Sequence, residues 1–163
     1  MRQEPLHRLD PKIQKVWLIH GVIEMLIALV ITLVVVGGVF IANVPLATVV
    51  LVASIGLGIT VVVALISMLI TPKLLYSIWR YEVTDTELYI QHGLIIKKRS
   101  LVPLVRVQDV QTSQGPIMRS YGLSEINVST AGEGHTIPGL TQEEAETLRD
   151  KISVLARIAQ EDV

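Results

Sequence analysis

The sequence predicts an α+β fold in which a two-helix transmembrane hairpin precedes a bent, barrel-like antiparallel sheet capped by a C-terminal helix. Three features indicate this: a nearly uncharged apolar segment, alternating apolar and polar residues after it, and a capped amphipathic segment at the end. Half of the 163 residues are hydrophobic and 18% are charged, whereas soluble domains carry about 25% charged residues. Within residues 16–70, Glu24 is the only Asp, Glu, Lys or Arg. The composition therefore predicts a membrane anchor joined to an ordinary domain.

The anchor consists of two apolar runs, residues 16–41 and 46–70. Each run exceeds the roughly 20 residues that a helix needs to cross the hydrocarbon core. Between the runs, Asn43 favours a turn and Pro45 disfavours helix in the residue before it. Because this connection is short, the two helices are predicted to be antiparallel neighbours. The chain then divides into an N-terminal segment (1–15), the hairpin (16–70) and a C-terminal domain (71–163).

The flanking basic residues predict the direction of the hairpin. The turn contains no basic residue, and those nearest the spans are Arg2, Arg8, Lys12, Lys15, Lys73 and Arg80. Because cytoplasmic flanks are enriched in Lys and Arg, this pattern places both termini in the cytoplasm. Trp17, Tyr76 and Trp79 lie near the same ends of the spans and suit the membrane interface.

Small and polar residues within the spans are candidate contact sites. Gly56, Thr60 and Ala64 lie four residues apart, and small side chains at this spacing let helices approach closely in lipid. This face is predicted to pack either within the hairpin or against a partner's helices. His20 and Glu24 are also four apart and share a helix face. The alternatives for this intramembrane polar pair are an interfacial or structural role, a proton or ion role, and a partner contact.

Alternation with period two begins after the second span and predicts six strands. They are expected, in chain order, at residues 79–84, 88–92, 95–101, 105–111, 125–130 and 135–137. Asp109 interrupts the fourth strand, which indicates a bulge or an edge there. Gly115 and Pro116 then break the sheet. Residues 117–121 are predicted to form one helical turn that Gly122 ends in a left-handed conformation.

A C-terminal helix is predicted over residues 142–159. Thr141 and Glu144 have the spacing of a capping box, which satisfies free backbone N–H groups at a helix start. One apolar stripe follows at helical spacing, formed by Ala145, Leu148, Ile152, Leu155 and Ala159. We expect this helix to cover an open edge or end of the sheet, because a sheet of this size needs a cover to bury its core.

The composition and motifs also exclude several classes of function. The chain has no cysteine, so disulfides and cysteine-based metal or redox centres are excluded. The net charge of −1 argues against a nucleic-acid partner, since domains that bind phosphate backbones are clearly basic. No P-loop, nucleophile elbow or zinc-binding helix motif is present. We therefore predict no enzymatic activity, no catalytic or metal-binding residues and no cofactor.

Several short segments of the C-terminal domain resemble bacterial pleckstrin-homology (PH) domains. They are residues 81–88 (YEVTDTEL), 102–110 (VPLVRVQDV), 115–119 (GPIMR), 122–123 (GL), 129–132 (STAG) and 137–140 (IPGL). The order and spacing of these segments make the resemblance specific. With the hairpin before them, nearly the whole chain resembles the YdbS-type PH-domain membrane proteins.

This resemblance implies a strongly bent seven-stranded sheet with a C-terminal helix, in a multi-pass protein of a prokaryotic plasma membrane. It implies no established catalytic activity, and it implies as partner a larger membrane protein with several similar domains. Many PH domains hold phosphoinositides with basic residues around the first hairpin loop. Here that loop contains Asp85 and Glu87, whose charges would repel a phosphate.

We expect a membrane-anchored interaction module at the cytoplasmic face that assembles with another membrane protein or with itself. Anchoring raises the effective concentration of a weak interaction, so no strong intrinsic affinity is needed. The expected contact surfaces are the exposed strand edges, the small-residue face of the second span and the segment that contains Gly115, Pro116, Ile117, Met118 and Arg119.

The alternative function is binding of anionic lipid headgroups through Lys97, Lys98 and Arg99, the basic cluster of the domain. A basic residue near an anionic membrane surface contributes about 1 kcal/mol. The other explanation of the cluster is a solvated strand edge whose charges prevent aggregation. The lipid bilayer is an expected partner of the anchor under either explanation.

Overall fold

A computed structural model describes residues 5–93 and 96–161. They form two compact units: one is Trp17–Lys73, and the other combines the described parts of Met1–Val16 and Leu74–Val163. Residue 95, where the third strand is predicted to begin, lies outside the described residues.

The first unit is a helical hairpin. Helix α1 spans Ile13–Ile41, and after the turn α2 spans Leu46–Leu65. A π-helical turn, Ile66–Ile70, continues α2 into α3, Thr71–Ile78. Asn43 has a φ of 52° between the two arms, a left-handed conformation that Asn adopts more readily than most residues. The predicted turn is therefore confirmed.

Both arms of the hairpin are long and apolar enough to cross a membrane, judged by length and composition. Most of their large apolar side chains are exposed, for example Leu26, Val30, Leu33, Val50, Leu57 and Val61. A soluble protein rarely exposes a contiguous apolar surface of more than a few hundred Å². Hydrocarbon suits such a surface, because a helix satisfies its own backbone hydrogen bonds there.

The second unit contains two three-stranded antiparallel sheets. Sheet A consists, in spatial order, of β1 (Arg80–Val83), β2 (Glu87–His92) and β3 (Lys98–Pro103). A 3₁₀ turn, Leu104–Arg106, leads to sheet B. Sheet B consists, in spatial order, of β4 (Val107–Ser113), β5 (Leu123–Thr130) and β6 (Gly134–Thr141). The described residues thus hold six strands, as the alternation predicts, where the resemblance implies seven.

Two local features of sheet B confirm their sequence signals. The register of β4 and β5 shifts between Val107 and Asp109, so the predicted bulge is present. The short helix α4, Pro116–Ser120, is followed by Gly122 with a φ of 66°. This glycine takes the left-handed position in which a side chain would be strained.

The core of this unit is built from the inward-facing residues of both sheets and from helix α5, Gln142–Glu161. The strands contribute fully buried apolar residues at alternate positions, including Leu88, Ile90, Val102, Ile126, Val128 and Ile137. Helix α5 adds Ala145, Ile152 and Ala156. The capping box is confirmed, because the Glu144 N–H donates to the Thr141 hydroxyl at 3.2 Å and the Thr141 N–H donates to the Glu144 carboxylate at 3.0 Å.

The N-terminal segment packs on this unit, although the hydropathy pattern predicts it to be separate from the domain. Leu9, Ile13 and Val16 are buried, and the Asp10 N–H donates to the Gly139 carbonyl at 2.8 Å. A Cβ on Gly139 would lie 2.7 Å from the Ile13 Cβ, so glycine permits this close approach. Three apolar residues within one short segment form too brief a pattern to reveal such packing from sequence.

Candidate functional site

The basic cluster lies at the connection between β2 and β3. Lys97 precedes β3, Lys98 and Arg99 begin it, and all three side chains are exposed. Lys98 pairs with His92 and Arg99 pairs with Gln91, and Arg99 Nε donates to Gln91 Oε1 at 3.1 Å. Because successive residues of a strand face opposite sides, Lys98 and Arg99 point to opposite faces of sheet A. The three basic residues therefore share one end of the strand but do not form a single flat patch.

An exposed apolar residue stands beside this cluster. Ile96 immediately precedes Lys97 and is 73% exposed. Gly93, at the other end of the connection, has a φ of 106°, and the Ile96 carbonyl occupies the position that a Cβ would take. Glycine at this position therefore lets the two ends of the connection approach each other.

A ring stack joins the β2–β3 connection to the start of the domain. The ring centroids of Trp79 and His92 lie 5.1 Å apart, with an angle of 20° between the ring planes. Trp79 follows α3 directly, and His92 is the last residue of β2. The connection is thus held next to the residue at which the chain leaves α3.

His92 has a polar atom that the fold does not satisfy. Its Nδ1 is buried and has no hydrogen-bond partner within residues 5–93 and 96–161. Burial lowers the pKa of His92, and the charges of Lys98 and His135 lower that pKa further. Each effect disfavours the imidazolium form, so the ring that stacks on Trp79 is neutral at pH 7.

A groove of 650 Å³ opens at the border of β3, the 3₁₀ turn and the β5–β6 connection. This volume lies within the range of ligand-binding clefts. The residues that line it include Leu101, Val105, Arg106, Glu133, His135 and Gln160. Leu101 and Val105 are exposed although apolar, and the Gln160 side chain donates to the Val107 carbonyl at 2.9 Å. No sequence motif marks this groove, because its walls come from segments that are far apart in the chain.

The edge of β3 beside the groove has no strand partner among the described residues. There, β3 pairs with β2 and β4 pairs with β5, and α5 packs against β4. An unpaired edge presents backbone N–H and C=O groups to which another strand can add. This edge of β3 is therefore one of the exposed strand edges expected as a contact surface.

The contact segment expected around residue 117 forms α4 and the residue before it. Gly115, Pro116 and Arg119 are exposed, whereas Ile117 and Met118 are partly buried. Helix α4 packs against β5, so its two large apolar side chains are partly used within the domain. In the groove, by contrast, the apolar side chains of Leu101 and Val105 are exposed.

The small-residue face of the second span lies inside the hairpin. A Cβ on Gly56 would lie 2.5 Å from Thr32 Cγ2 of α1, and the hydroxyl oxygens of Thr60 and Thr32 are 3.5 Å apart. Thr60 is buried, while Gly56 and Ala64 are partly buried. Contact within the hairpin occupies this face, so the surface of Gly56 and Thr60 is not open to a partner's helix.

Glu24 pairs across the hairpin. Its carboxylate accepts a hydrogen bond from the Ser67 hydroxyl at 2.8 Å, and Ser67 belongs to the π-helical turn. A Cβ on Gly21 would lie 3.0 Å from the Ser67 carbonyl oxygen, so the two arms approach closely there. Among the alternatives for His20 and Glu24, this contact favours the structural one.

Two antiparallel sheets with a capping helix, preceded by a helical hairpin, are the architecture expected of a membrane protein with a PH-like domain. Sequence comparison agrees with this class of protein. The bacterial PH domain family model matches residues 21–156, and the chain belongs to this family. Over 163 residues, which cover 100% of both chains, it is 37% identical to the UPF0699 transmembrane protein YdbS of Bacillus subtilis (strain 168). It is also 28% identical over 81 residues to the UPF0699 transmembrane protein YdbT of the same organism, which covers 45% of this chain and 16% of that protein. No solved structure matches the chain at a significant level.

These comparisons confirm the predicted family and the PH-like fold. The chain is a membrane protein with transmembrane helices and a bacterial PH domain. Membership of a PH-domain family indicates a non-enzymatic role. Within the part of the chain that the structure describes, no group of three His, Cys, Asp or Glu side chains is placed to hold a metal ion.

Proposed function

We propose that this chain is a non-enzymatic, membrane-anchored interaction module at the cytoplasmic face of a prokaryotic plasma membrane. It assembles there with another membrane protein or with itself. The groove beside the unpaired edge of β3 is the observation on which the proposal rests. A partner segment that adds to this edge would gain backbone hydrogen bonds and would cover the exposed side chains of Leu101 and Val105.

The partner that we favour is a larger membrane protein with several PH-like domains. The likeness to YdbT supports this choice, because the match covers only 16% of that protein. The matched relatives YdbS and YdbT also come from one organism. A partner in the same membrane is confined to the same plane as the anchor. This confinement raises the effective concentration of the partner, so a weak contact suffices without new interactions.

The test of assembly uses the full chain in a mild detergent, both alone and after coexpression with a YdbT-like protein from the same organism. We expect size-exclusion chromatography with light scattering to show a stoichiometric complex with that protein, or a homo-oligomer. Val105→Asp should abolish the complex, because a charge in the groove would have to lose its hydration on binding.

The matched control is Val154→Asp. Val154 is also an exposed valine but lies on α5 outside the groove, so this variant should keep the complex. A wild-type chain that stays monomeric in both experiments would refute assembly. A Val105→Asp variant that still forms the complex would refute the groove as the contact surface.

A second function, binding of anionic lipid headgroups, is favoured by the location of the basic cluster. Lys97, Lys98 and Arg99 are exposed beside the stack of Trp79 on His92. Trp79 directly follows, along the chain, the helical arm that continues the second span, and this short connection supports a role for these cations at the membrane. A juxtamembrane basic residue contributes about 1 kcal/mol of attraction to an anionic leaflet.

The lipid function is tested with the full chain purified from an equal mixture of phosphatidylglycerol and phosphatidylcholine. We expect mass spectrometry of the retained lipid to show enrichment of phosphatidylglycerol, and K97A/K98A/R99A to remove most of it. The control R149A/K151A/R157A neutralises three basic residues of α5 and should keep the enrichment. Equal enrichment in the wild type and in K97A/K98A/R99A would rule out this function for the cluster.

A further inference from the structure

We propose that the free edge of β3 takes an extended acidic segment of a partner protein as an added strand. An apolar side chain of that segment lies opposite Leu101, and carboxylates on either side of it reach Arg99 and Arg106. This inference rests on the proposed assembly at the groove. It adds the backbone groups that the partner bonds and the chemistry that its side chains must have.

Alternate residues of β3 direct their backbone groups away from β2. The Leu104 N–H donates to the Thr86 carbonyl at 2.9 Å, and these two residues continue the register of β2 and β3. In an antiparallel ladder, directly opposed residues form hydrogen-bonded and non-hydrogen-bonded pairs in alternation. The even-numbered residues of β3 therefore bond to β2, whereas the N–H and C=O groups of Arg99 and Leu101 point out from the free edge.

The position of Pro103 agrees with this alternation. Proline has no N–H to donate, so within a sheet it is confined to positions where that group would face away from a neighbouring strand. Pro103 is an odd-numbered residue of β3, and it directs only its carbonyl outwards. The free edge thus offers the N–H groups of Arg99 and Leu101 and the carbonyls of these two residues and Pro103. Within the described part of the chain, no strand pairs with this edge.

Leu101 and Val105 provide the apolar part of the contact. Both side chains are exposed, although Val102 and Leu104 between them are buried, and both line the groove. Directly opposed side chains of neighbouring strands have Cβ atoms about 4.5–5.5 Å apart. An apolar residue opposite Leu101 would therefore contact it and remove apolar surface from water, which is favourable.

Two arginines set the charge that a partner segment must have. Arg99 precedes Leu101 by two residues and shares its face of the strand, and Arg106 ends the 3₁₀ turn after β3. Both are exposed, and Arg99 is bonded to Gln91 through Nε, which leaves its two Nη groups for a partner. The acidic residue of the groove lining, Glu133, belongs to the β5–β6 connection. Because guanidinium groups pair with carboxylates, acidic residues on both sides of the apolar one complement the edge.

The same charges argue against a second copy of β3 at this edge. The β3 strand of another chain would bring its own Lys98 and Arg99 towards the cations already there. Like charges directly opposite each other destabilise a strand pair, whereas opposite charges stabilise it. An acidic segment of a partner protein therefore suits the edge better than a second β3.

A synthetic peptide with the core Glu-Thr-Leu-Thr-Glu is a suitable probe. In an extended peptide the leucine and both glutamates share one face, and the core reads the same in both directions, so parallel and antiparallel addition are equally possible. The matched control peptide has lysine in place of both glutamates. Each peptide is added at millimolar concentration to the full chain in phosphatidylcholine nanodiscs, and NMR follows the exchange of single amide protons with water.

We expect the Arg99 and Leu101 amides to exchange rapidly in the free chain and to slow several-fold when the glutamate peptide is present. The Ser100 and Val102 amides, which bond to β2, should be protected both with and without the peptide. The lysine peptide should leave these rates unchanged. Binding of the glutamate peptide without protection of Arg99 and Leu101 would overturn addition of a strand at this edge.

Arg106→Gln tests the acidic chemistry from the side of the chain. It should weaken binding of the glutamate peptide several-fold, because the amide lacks the charge that pairs with a carboxylate. The matched control is Arg119→Gln, since Arg119 is an exposed arginine of α4 that does not line the groove. That variant should bind like the wild type, and equal binding by the two variants would refute the role of Arg106.

Other outcomes separate this inference from the assembly on which it rests. If the full chain assembles with a YdbT-like protein but the glutamate peptide does not bind, the acidic segment is wrong and assembly stands. Equal binding of the glutamate and lysine peptides overturns the requirement for charge. Protection of Arg99 and Leu101 in the free chain would mean that a second copy covers the edge, which also overturns the proposal. Absence of both assembly and peptide binding overturns the proposed function as well.

Discussion

At the scale of single residues, two glycines of the PH-like unit differ in what a side chain would meet at their positions. Gly139 and Gly122 have nearly the same left-handed backbone, with φ values of 64° and 66°. At Gly139 a Cβ would lie 2.7 Å from the Ile13 Cβ, whereas nothing lies within 4 Å of that position at Gly122. Comparing the same substitution at both glycines therefore separates the cost of the contact with the N-terminal segment from the cost of the left-handed backbone.

We predict that Gly139→Ala destabilises the protein more than Gly122→Ala. Both variants lose about 1–2 kcal/mol to the left-handed backbone. Gly139→Ala should lose about 1–3 kcal/mol more, the usual cost of overpacking. Chemical denaturation of the full chain in detergent measures both values. Equal losses would show that the N-terminal segment does not press on Gly139 in solution.

His92 makes stability depend on pH with a definite sign. The unfolded chain protonates His92 near the ordinary pKa of about 6.5, whereas burial, Lys98 and His135 lower the pKa in the folded state. Between the two pKa values the unfolded state binds more protons, so stability rises with pH there. Its contribution is constant above about pH 6.5, and stability falls as the pH drops from there through the folded-state pKa.

We expect His92→Gln to flatten this pH dependence of the free energy of unfolding. Lys98→Ala should move the pKa of His92 back towards its ordinary value, because it removes one of the charges that disfavour the imidazolium. An NMR titration of the His92 ring measures the shift. Lys151→Ala removes a cation of α5 instead and is the control, so an equal shift in that variant would contradict the local effect of Lys98.

At the scale of elements, the hairpin offers a similar pair of glycines in one helix. A Cβ on Gly56 would lie 2.5 Å from Thr32 Cγ2, and nothing lies within 4 Å of the same position on Gly58. Because alanine favours helix over glycine, Gly58→Ala should be neutral or slightly stabilising. Gly56→Ala should destabilise the hairpin by about 1–3 kcal/mol, since the two arms cannot keep their present distance.

Reversible unfolding of the full chain in a denaturing detergent measures both variants. Thr32→Ser removes Cγ2 and keeps the hydroxyl, so it should restore stability to Gly56→Ala. A Gly56→Ala variant as stable as Gly58→Ala would refute close packing of the two arms at this level.

Elements whose signals are local in sequence were predictable. Thr141 and Glu144, which cap α5, are only three residues apart in the sequence. Asp109 lies in the same strand as the bulge that it indicates. The groove was not predictable, because its lining brings together residues that are far apart in the chain, such as Leu101 and Glu133. The π-helical turn, Ile66–Ile70, lies in an almost uniformly apolar run, where no periodic signal distinguishes it from α-helix.

The candidate site was predictable in its residues but not in its geometry. Lys97, Lys98 and Arg99 are evident as a basic run, and they were expected to act together. Their division between two faces follows from the register that pairs Lys98 with His92. The close approach of Gly93 to the Ile96 carbonyl was also not predictable, because the sequence marks Gly93 only as the end of a strand.

At the scale of the whole molecule, segments from before and after the hairpin belong to one folded unit. The backbone of His7 exchanges two hydrogen bonds of 3.1 Å with Tyr81, and Asp10 donates to Gly139. A unit held by such bonds cannot be divided by a bilayer. We therefore predict that the chain crosses the bilayer an even number of times between residues 16 and 74, with the two apolar helices as the crossings.

We predict that both ends of the hairpin lie on the same side of the membrane, and that this side is the cytoplasm because the flanks of the hairpin are basic. We predict that Leu6→Cys and Thr86→Cys react with a membrane-impermeant maleimide only after cells are permeabilised. Ala42→Cys, in the turn, should react in intact cells. These three positions are exposed and uncharged, so the substitutions leave the basic flanks intact, and the natural cysteine-free chain gives the background. Labelling of Leu6→Cys and Thr86→Cys on different sides would refute the single folded unit, whereas labelling of both from outside would refute only the orientation.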